Sequence, residues 1–207
     1  MMQVTIRYHG HACFSLEAEG FRTVLDPYAD GMVPGLPALS LEAEAVLCSH
    51  GHGDHAYTQA VTLKETTAAA PYTLESIETD HDDQGGTLRG KNLIRIFSFG
   101  DVSVAHLGDL GHMPSEEVLE KLKGVSCLLI PVGGFFTIDP DTAEKVVTAV
   151  QPRVTVPMHY RTDSTGFDVL AHIDTFTSKF EQVATCVNSF TLTGEEKQQI
   201  LVIDYKP

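Results

Sequence analysis

The stretch Ala45-Val46-Leu47-Cys48-Ser49-His50-Gly51-His52-Gly53-Asp54-His55 decides how this chain is read. Its first four residues are an apolar run suited to a buried strand. The next seven hold three imidazoles and a carboxylate, with glycines between the first three of these groups. A strand that ends in such a cluster delivers nitrogen and oxygen donors to one point, and neutral imidazole with carboxylate is an ordinary donor set for zinc, iron or manganese. In an extended segment, residues two apart share a side, so His50 and His52 reach one ion together. Asp54 and His55 are adjacent and diverge, which suits a second ion or an acid–base role. Gly51 and Gly53 let the segment bend tightly without Cβ clashes.

Four donors from one loop do not complete a two-ion site. Three other places offer more, each where a strand ends. His81 lies in Thr79-Asp80-His81-Asp82-Asp83, a polar loop whose carboxylates are alternative donors. Asp109 lies in His106-Leu107-Gly108-Asp109-Leu110-Gly111-His112, at the exit of an apolar strand; a turn or helix-cap role is the alternative there. His159, in Val156-Pro157-Met158-His159-Tyr160, leaves another apolar strand and has a core histidine as its alternative.

The rest of the chain supplies a frame. Strands are expected at Val4–Tyr8, Ala12–Glu17, Arg22–Leu25, Ala45–Ser49, Leu93–Phe99 and Val102–Leu107, with hairpin turns at Glu19-Gly20 and Gly100-Asp101. Gly31, Pro34, Gly35 and Pro37 make 30–39 a loop, and 57–66 reads as a helix. The second half alternates. A helix runs from Ser115-Glu116-Glu117 to Lys123 and stops at Gly124, followed by a strand at Cys127–Val132. A helix at Asp141–Val150, a strand at Val154–Pro157, a helix at Val169–Phe180 and a closing strand at Gln199–Asp204 complete the chain. This order suits a layered α/β protein with sheets inside and helices outside. No linker divides it, so residues 1–207 read as a single domain.

A chain of 207 residues can bury a sizeable core, and 43% apolar residues fit a globular protein. Its 28 acids against 14 bases give a net charge of −14, which argues against a nucleic-acid partner. A small anionic substrate stays compatible, because divalent ions would reverse the local field. No apolar stretch is long enough for a membrane span, and Met1–Arg7 lacks signal-peptide architecture. Cys13, Cys48, Cys127 and Cys186 form no CxxC pair and read as buried free thiols, so a cytoplasmic setting is expected.

With these residues in this order, the chain resembles the metallo-β-lactamase fold superfamily, in the branch of small metal-dependent hydrolases that includes ascorbate-phosphate lactonase-like proteins. His50, His52, Asp54 and His55 match its HxHxDH signature. His81 matches the third-motif histidine, Asp109 in Gly108-Asp109 the bridging aspartate, and His159 the last-motif histidine. Gly10-His11-Ala12 and Leu25-Asp26-Pro27-Tyr28 resemble the branch's opening hairpin. The resemblance implies a four-layer αββα sandwich of two mixed β-sheets with helices on the outer faces. It implies two divalent ions, zinc first and manganese or iron as alternatives. His50, His52 and His81 would hold one ion, Asp54, His55 and His159 the other, with Asp109 between them.

The implied activity is hydrolysis of a small ester, lactone, amide or phosphoester by a metal-bound hydroxide, with Asp54 and Asp109 as catalytic residues. His11, Asp26, His106 and His112 are expected in the outer shell or pocket, Asp26 by hydrogen bonding to a ligand imidazole. Gly134 would allow close backbone approach, Phe136 with Phe135 and Tyr160 would form an apolar wall, and Arg161 would meet an anionic group. His9 and His172 read as surface residues. Rival readings are a di-iron redox or oxygen-handling protein of the same fold and a superfamily nuclease; the acidic excess counts against the nuclease. The substrate is not readable, because one ligand set serves many chemistries. A small-molecule partner is expected, no membrane or nucleic acid, and a homo-oligomer is compatible.

Overall fold

A computed structural model describes residues 2–206. In chain order the strands are β1 (Val4–Gly10), β2 (Cys13–Ala18), β3 (Phe21–Leu25), β4 (Leu41–Ala43), β5 (Ala45–Leu47), β6 (Val61–Leu63), β7 (Thr73–Asp80), β8 (Lys91–Phe99), β9 (Val102–His106), β10 (Cys127–Pro131), β11 (Val154–Met158), β12 (Val183–Val187), β13 (Ser189–Leu192) and β14 (Gln199–Asp204). The helices are α1 (Glu116–Leu122), α2 (Pro140–Val150) and α3 (Ile173–Thr177).

Two mixed sheets face each other. One has the order β13-β1-β2-β3-β5, antiparallel except for the parallel pair β3–β5. The other has the order β12-β14-β11-β10-β9-β8-β7, parallel through β9 and antiparallel beyond it. The alternating residues of the first hairpin set the register: Ile6 lies opposite Leu16 and Tyr8 opposite Phe14. These side chains meet Phe97, Val104, Leu129 and Val156 of the other sheet in one buried cluster. β10 and β11 are buried throughout because helices cover their second face as well.

α2 shows how that cover forms. The Asp139 side chain accepts the Thr142 N–H, Pro140 opens the first turn, and Gln151 ends the helix in the left-handed region at φ 53°. Ala143, Val146, Val147 and Val150 share one face and pack with Leu128 and Ile130. Each buried valine there stabilises the layer by about 1.5–3 kcal/mol.

The outer face of the five-stranded sheet is covered differently. Tyr28, Val33, Ala43 and Val61 pack on Cys13 and Val24, so the loop after β3 and the two-stranded β4–β6 sheet form this layer. The helix expected over 57–66 is a single 3₁₀ turn, Thr58–Ala60, followed by β6. Tyr57 offers no side-chain cap, and Val61-Thr62-Leu63 pairs with Leu41–Ala43 instead. The helix expected at Val169–Phe180 shrinks to α3. Its first residues are tied across the chain, with Ala171 N–H donating to Gly133 O and Arg161 N–H to Ala171 O.

All four cysteines are free; Cys13 and Cys127 are buried, whereas Cys48 and Cys186 are partly exposed. His9 is not a surface residue: it is buried and hydrogen-bonds Ser15 Oγ at 3.0 Å. His172, partly exposed, caps α3 by accepting the Asp174 N–H.

Candidate metal centre

The exits of β3, β5, β7, β9 and β11 and the β1–β2 turn converge. After β5, His52 O accepts the N–H groups of His55 (3.0 Å) and Ala56 (2.9 Å), so the heptapeptide is a tight turn rather than an extended segment. The turn still brings His50 and His52 together edge to face, with ring centroids 4.6 Å apart. Ring nitrogens of His50, His52 and His81 all lie within 4.8 Å of one another. A second group with the same spacing joins His11, Asp54, His55 and His159. Asp109 Oδ2 stands between the groups: it is 3.2 Å from His81 Nε2 and 3.9 Å from His50 Nε2 on one side, and 3.2 Å from His55 Nε2 and 3.3 Å from His159 Nε2 on the other.

These donors fit divalent ions. Tetrahedral ligands at zinc bond lengths lie about 3.3 Å apart, which matches three of the four Asp109 separations. The buried atoms His50 Nε2, His55 Nε2, His159 Nε2 and Asp109 Oδ1 have no hydrogen-bond partner among the described residues. So many unpaired buried polar atoms at one point would be costly without a cation. Burial pushes the His50 imidazole down to about 4, leaving its lone pair free near neutral pH. Burial opposes ionisation of Asp109, yet the His159 and His55 imidazoles hold its carboxyl well below the usual carboxylate range.

Several other expected site residues have different tasks. Gly133, not Gly134, makes the close approach: a Cβ at 133 would fall 2.0 Å from His159 O, whereas one at 134 meets only Asp139 at 3.5 Å. Gly134 serves the turn through its φ of 65°. Tyr160 is buried with the α2 side of the core, so the wall beside His159 is Phe136 (ring centroids 6.4 Å apart) with Phe167 behind it (5.9 Å). Phe135 is 62% exposed. Arg161 Nε donates to Leu170 O at 2.9 Å, a structural tie. His112 ties the end of β7 to the loop after β9: its Nε2 accepts the Asp80 N–H and its Nδ1–H donates to Met113 O. A cavity of about 580 Å³ touches His11 and Tyr160; of the second donor group only His11 lines it.

A family model for the β-lactamase superfamily domain matches residues 5–159, about three quarters of the chain. The chain belongs to the metallo-β-lactamase superfamily. A UPF0173 metal-dependent hydrolase of Thermoplasma acidophilum is 29% identical over 97% of this chain and 99% of its own. One from Thermococcus onnurineus is 31% identical over 77% of this chain and 85% of its own. Among solved structures, a Thermotoga maritima protein assigned as a Zn-dependent hydrolase of the superfamily superposes with a TM-score of 0.77. It is 29% identical, over 98% of this chain and 100% of that one.

In this metallo-β-lactamase fold, residues outside the donor set fix its geometry. Asp26 Oδ1 accepts the Ser49 N–H (2.6 Å) and its Oδ2 accepts the His55 Nδ1–H (2.8 Å), which turns His55 Nε2 toward the centre. Asn92, buried and not flagged by any motif, accepts the Asp109 N–H (2.9 Å) and donates to Leu107 O (2.9 Å). His106 is a core residue: its Nε2–H donates to Ala12 O (3.0 Å) while Nδ1 accepts the Gly108 N–H (3.1 Å). His11, Asp26 and His159 all hold positive φ, at 56°, 46° and 54°. Strain of this kind persists where surrounding contacts over-determine the backbone; here His11 O accepts both Tyr8 Oη–H (3.1 Å) and the His159 N–H (2.9 Å). Asp26→Asn is expected to weaken metal binding about 10–100-fold, the cost typical of losing such a partner. Chelator competition measures this, and an unchanged affinity would remove Asp26 from the account.

Proposed function

We propose that the chain is a metal-dependent hydrolase with two adjoining cation positions, acting on a small ester, lactone, amide or phosphoester. The observation that carries this reading is the single Asp109 oxygen shared between two groups of buried nitrogen and oxygen donors. His50, His52 and His81 would hold one ion; Asp54, His55 and His159 would hold the second, with Asp109 facing both. His11 adds a fourth donor to the second group or steadies Asp54, whose Oδ2 lies 3.3 Å from His11 Nε2. Bound divalent ions acidify a water toward neutral pH and polarise the oxygen of the scissile group.

The protein's own groups supply the rest. Asp54 is the more accessible carboxylate, its side chain 20% exposed against 2% for Asp109, so it can orient a water and take its proton. Asp109, ringed by imidazoles, stays ionised and keeps both donor groups in register. Phe136 and Phe167 exclude solvent on the His159 side. Zinc suits these donors, as do manganese and iron. Among the described residues no helix is long and apolar enough to cross a membrane. The free thiols fit a reducing cytoplasm.

Metal analysis after loading tests the proposal. The wild type is expected to hold two equivalents, zinc giving a colourless protein, and His50→Ala or His159→Ala to lose about one. Less than about half an equivalent in the wild type would sink the two-ion reading. Visible iron bands in the protein as isolated would move the choice toward di-iron chemistry.

A further inference from the structure

The loop after His81 is built around one carboxylate. Buried Asp82 accepts the Gln84 and Gly86 N–H groups on Oδ1 (2.8 and 2.9 Å) and the Leu88 and Arg89 N–H groups on Oδ2 (3.0 and 2.7 Å). His81 N–H donates to Gly90 O (3.0 Å), closing the loop against the ligand itself. The backbone of Arg89 is therefore fixed relative to His81. Its guanidinium carbon lies 5.7 Å from the ring centroid of Phe136, and Phe136 is the ring that packs on His159. Arg89 thus reaches from the wall that carries one donor group to the wall that carries the other.

No carboxylate lies within ion-pair distance of Arg89 among the described residues, although the chain has 28 acids. Asp83, the nearest acid in sequence, is exposed and makes no ion pair with Arg89, and Asp82 has both oxygens taken by backbone N–H groups. A guanidinium resting on an aromatic ring keeps its planar fork for an oxyanion, which it holds in bidentate fashion. We propose that Arg89 is the specificity-determining residue of this site, and that the substrate carries a carboxylate or phosphate group beside an apolar portion that meets Phe136. This rests on the hydrolase reading above. It also gives the anion-binding task expected of Arg161 to a residue on the opposite loop.

Two measurements on the metal-loaded protein test it. The first compares kcat/KM for mono(4-nitrophenyl) glutarate with that for neutral 4-nitrophenyl valerate. The wild type is expected to favour the anionic ester about tenfold or more, Arg89→Ala to bring the ratio near one, and Arg89→Lys to recover part of it. A ratio in Arg89→Ala within about twofold of the wild type overturns the proposal. The second uses calorimetry to compare glutarate and phenylphosphonate binding, and it decides even if neither ester is turned over, which would count against the hydrolase reading alone. Arg89→Ala is expected to weaken at least one of the two about tenfold, and which one separates carboxylate from phosphate. Unchanged affinity for both overturns the proposal.

Discussion

Asp109→Asn protein is expected to fold, to retain no more than one equivalent of metal after loading, and to hydrolyse 4-nitrophenyl esters about a thousandfold more slowly. Asparagine keeps the shape of the side chain and its place at the β9 exit, where the backbone N–H of residue 109 bonds to Asn92. What it loses is the negative charge that faces four imidazoles through one oxygen, at 3.2 to 3.9 Å. A unit charge about 4 Å from another contributes about 4 kcal/mol in a protein-like dielectric, which corresponds to about a thousandfold per cation. Metal content and turnover, measured on the same preparation, check the result. Two tightly held equivalents in the variant would show that Asp109 is not shared between the donor groups.

Gly133→Ala is expected to lower stability by about 3 kcal/mol and Tm by about 10 °C, and to empty the cation position that includes His159. The new methyl would lie 2.0 Å from His159 O, which no rotamer relieves because both atoms belong to rigid positions. Around that carbonyl the backbone is already committed: Val132 N–H bonds to Met158 O (3.0 Å), Ala171 N–H to Gly133 O (2.8 Å), and His159 N–H to His11 O (2.9 Å). The shift therefore passes directly to the His159 ring. Gly134→Ala is the control. Its Cβ has room, so the cost is the positive φ alone, about 1–2 kcal/mol. Thermal melts and metal analysis of the pair decide; a larger loss in Gly134→Ala would contradict the packing argument.

Most donors stand out in the sequence because they follow apolar strands, and a strand exit is where side chains leave the core together; His81, after the polar β7, is the exception. The central strands β8, β9, β10, β11 and β14 are legible for the same reason: unbroken or alternating apolar runs bounded by turn residues. Edge strand β7 is hidden, since Thr-Leu-Glu-Ser-Ile-Glu-Thr-Asp buries little and shows no consistent alternation. Residues 57–66 mislead because the pairing of β6 with β4 depends on a partner twenty residues away. Around the centre, Asn92 and Gly111 carry no local signal at all. Gly111 matters only because a Cβ there would fall 2.2 Å from Asp82 N, a contact between distant segments. Arg89 is equally silent until the Asp82 clamp shows where its backbone is held. The positive φ shared by His11, Asp26 and His159 is likewise a product of tertiary contacts that no local pattern encodes.

The bond from His159 N–H to His11 O has a consequence for biosynthesis. His50 and His52 leave the ribosome early, but the shared carboxylate and the last imidazole follow only after most of the chain has emerged. A nascent chain bearing the heptapeptide alone offers a loose, local chelator. On the two-ion proposal, the complete pair of positions would form only when β11 docks on the first hairpin, so cation capture and completion of the fold would be one late event rather than two successive ones.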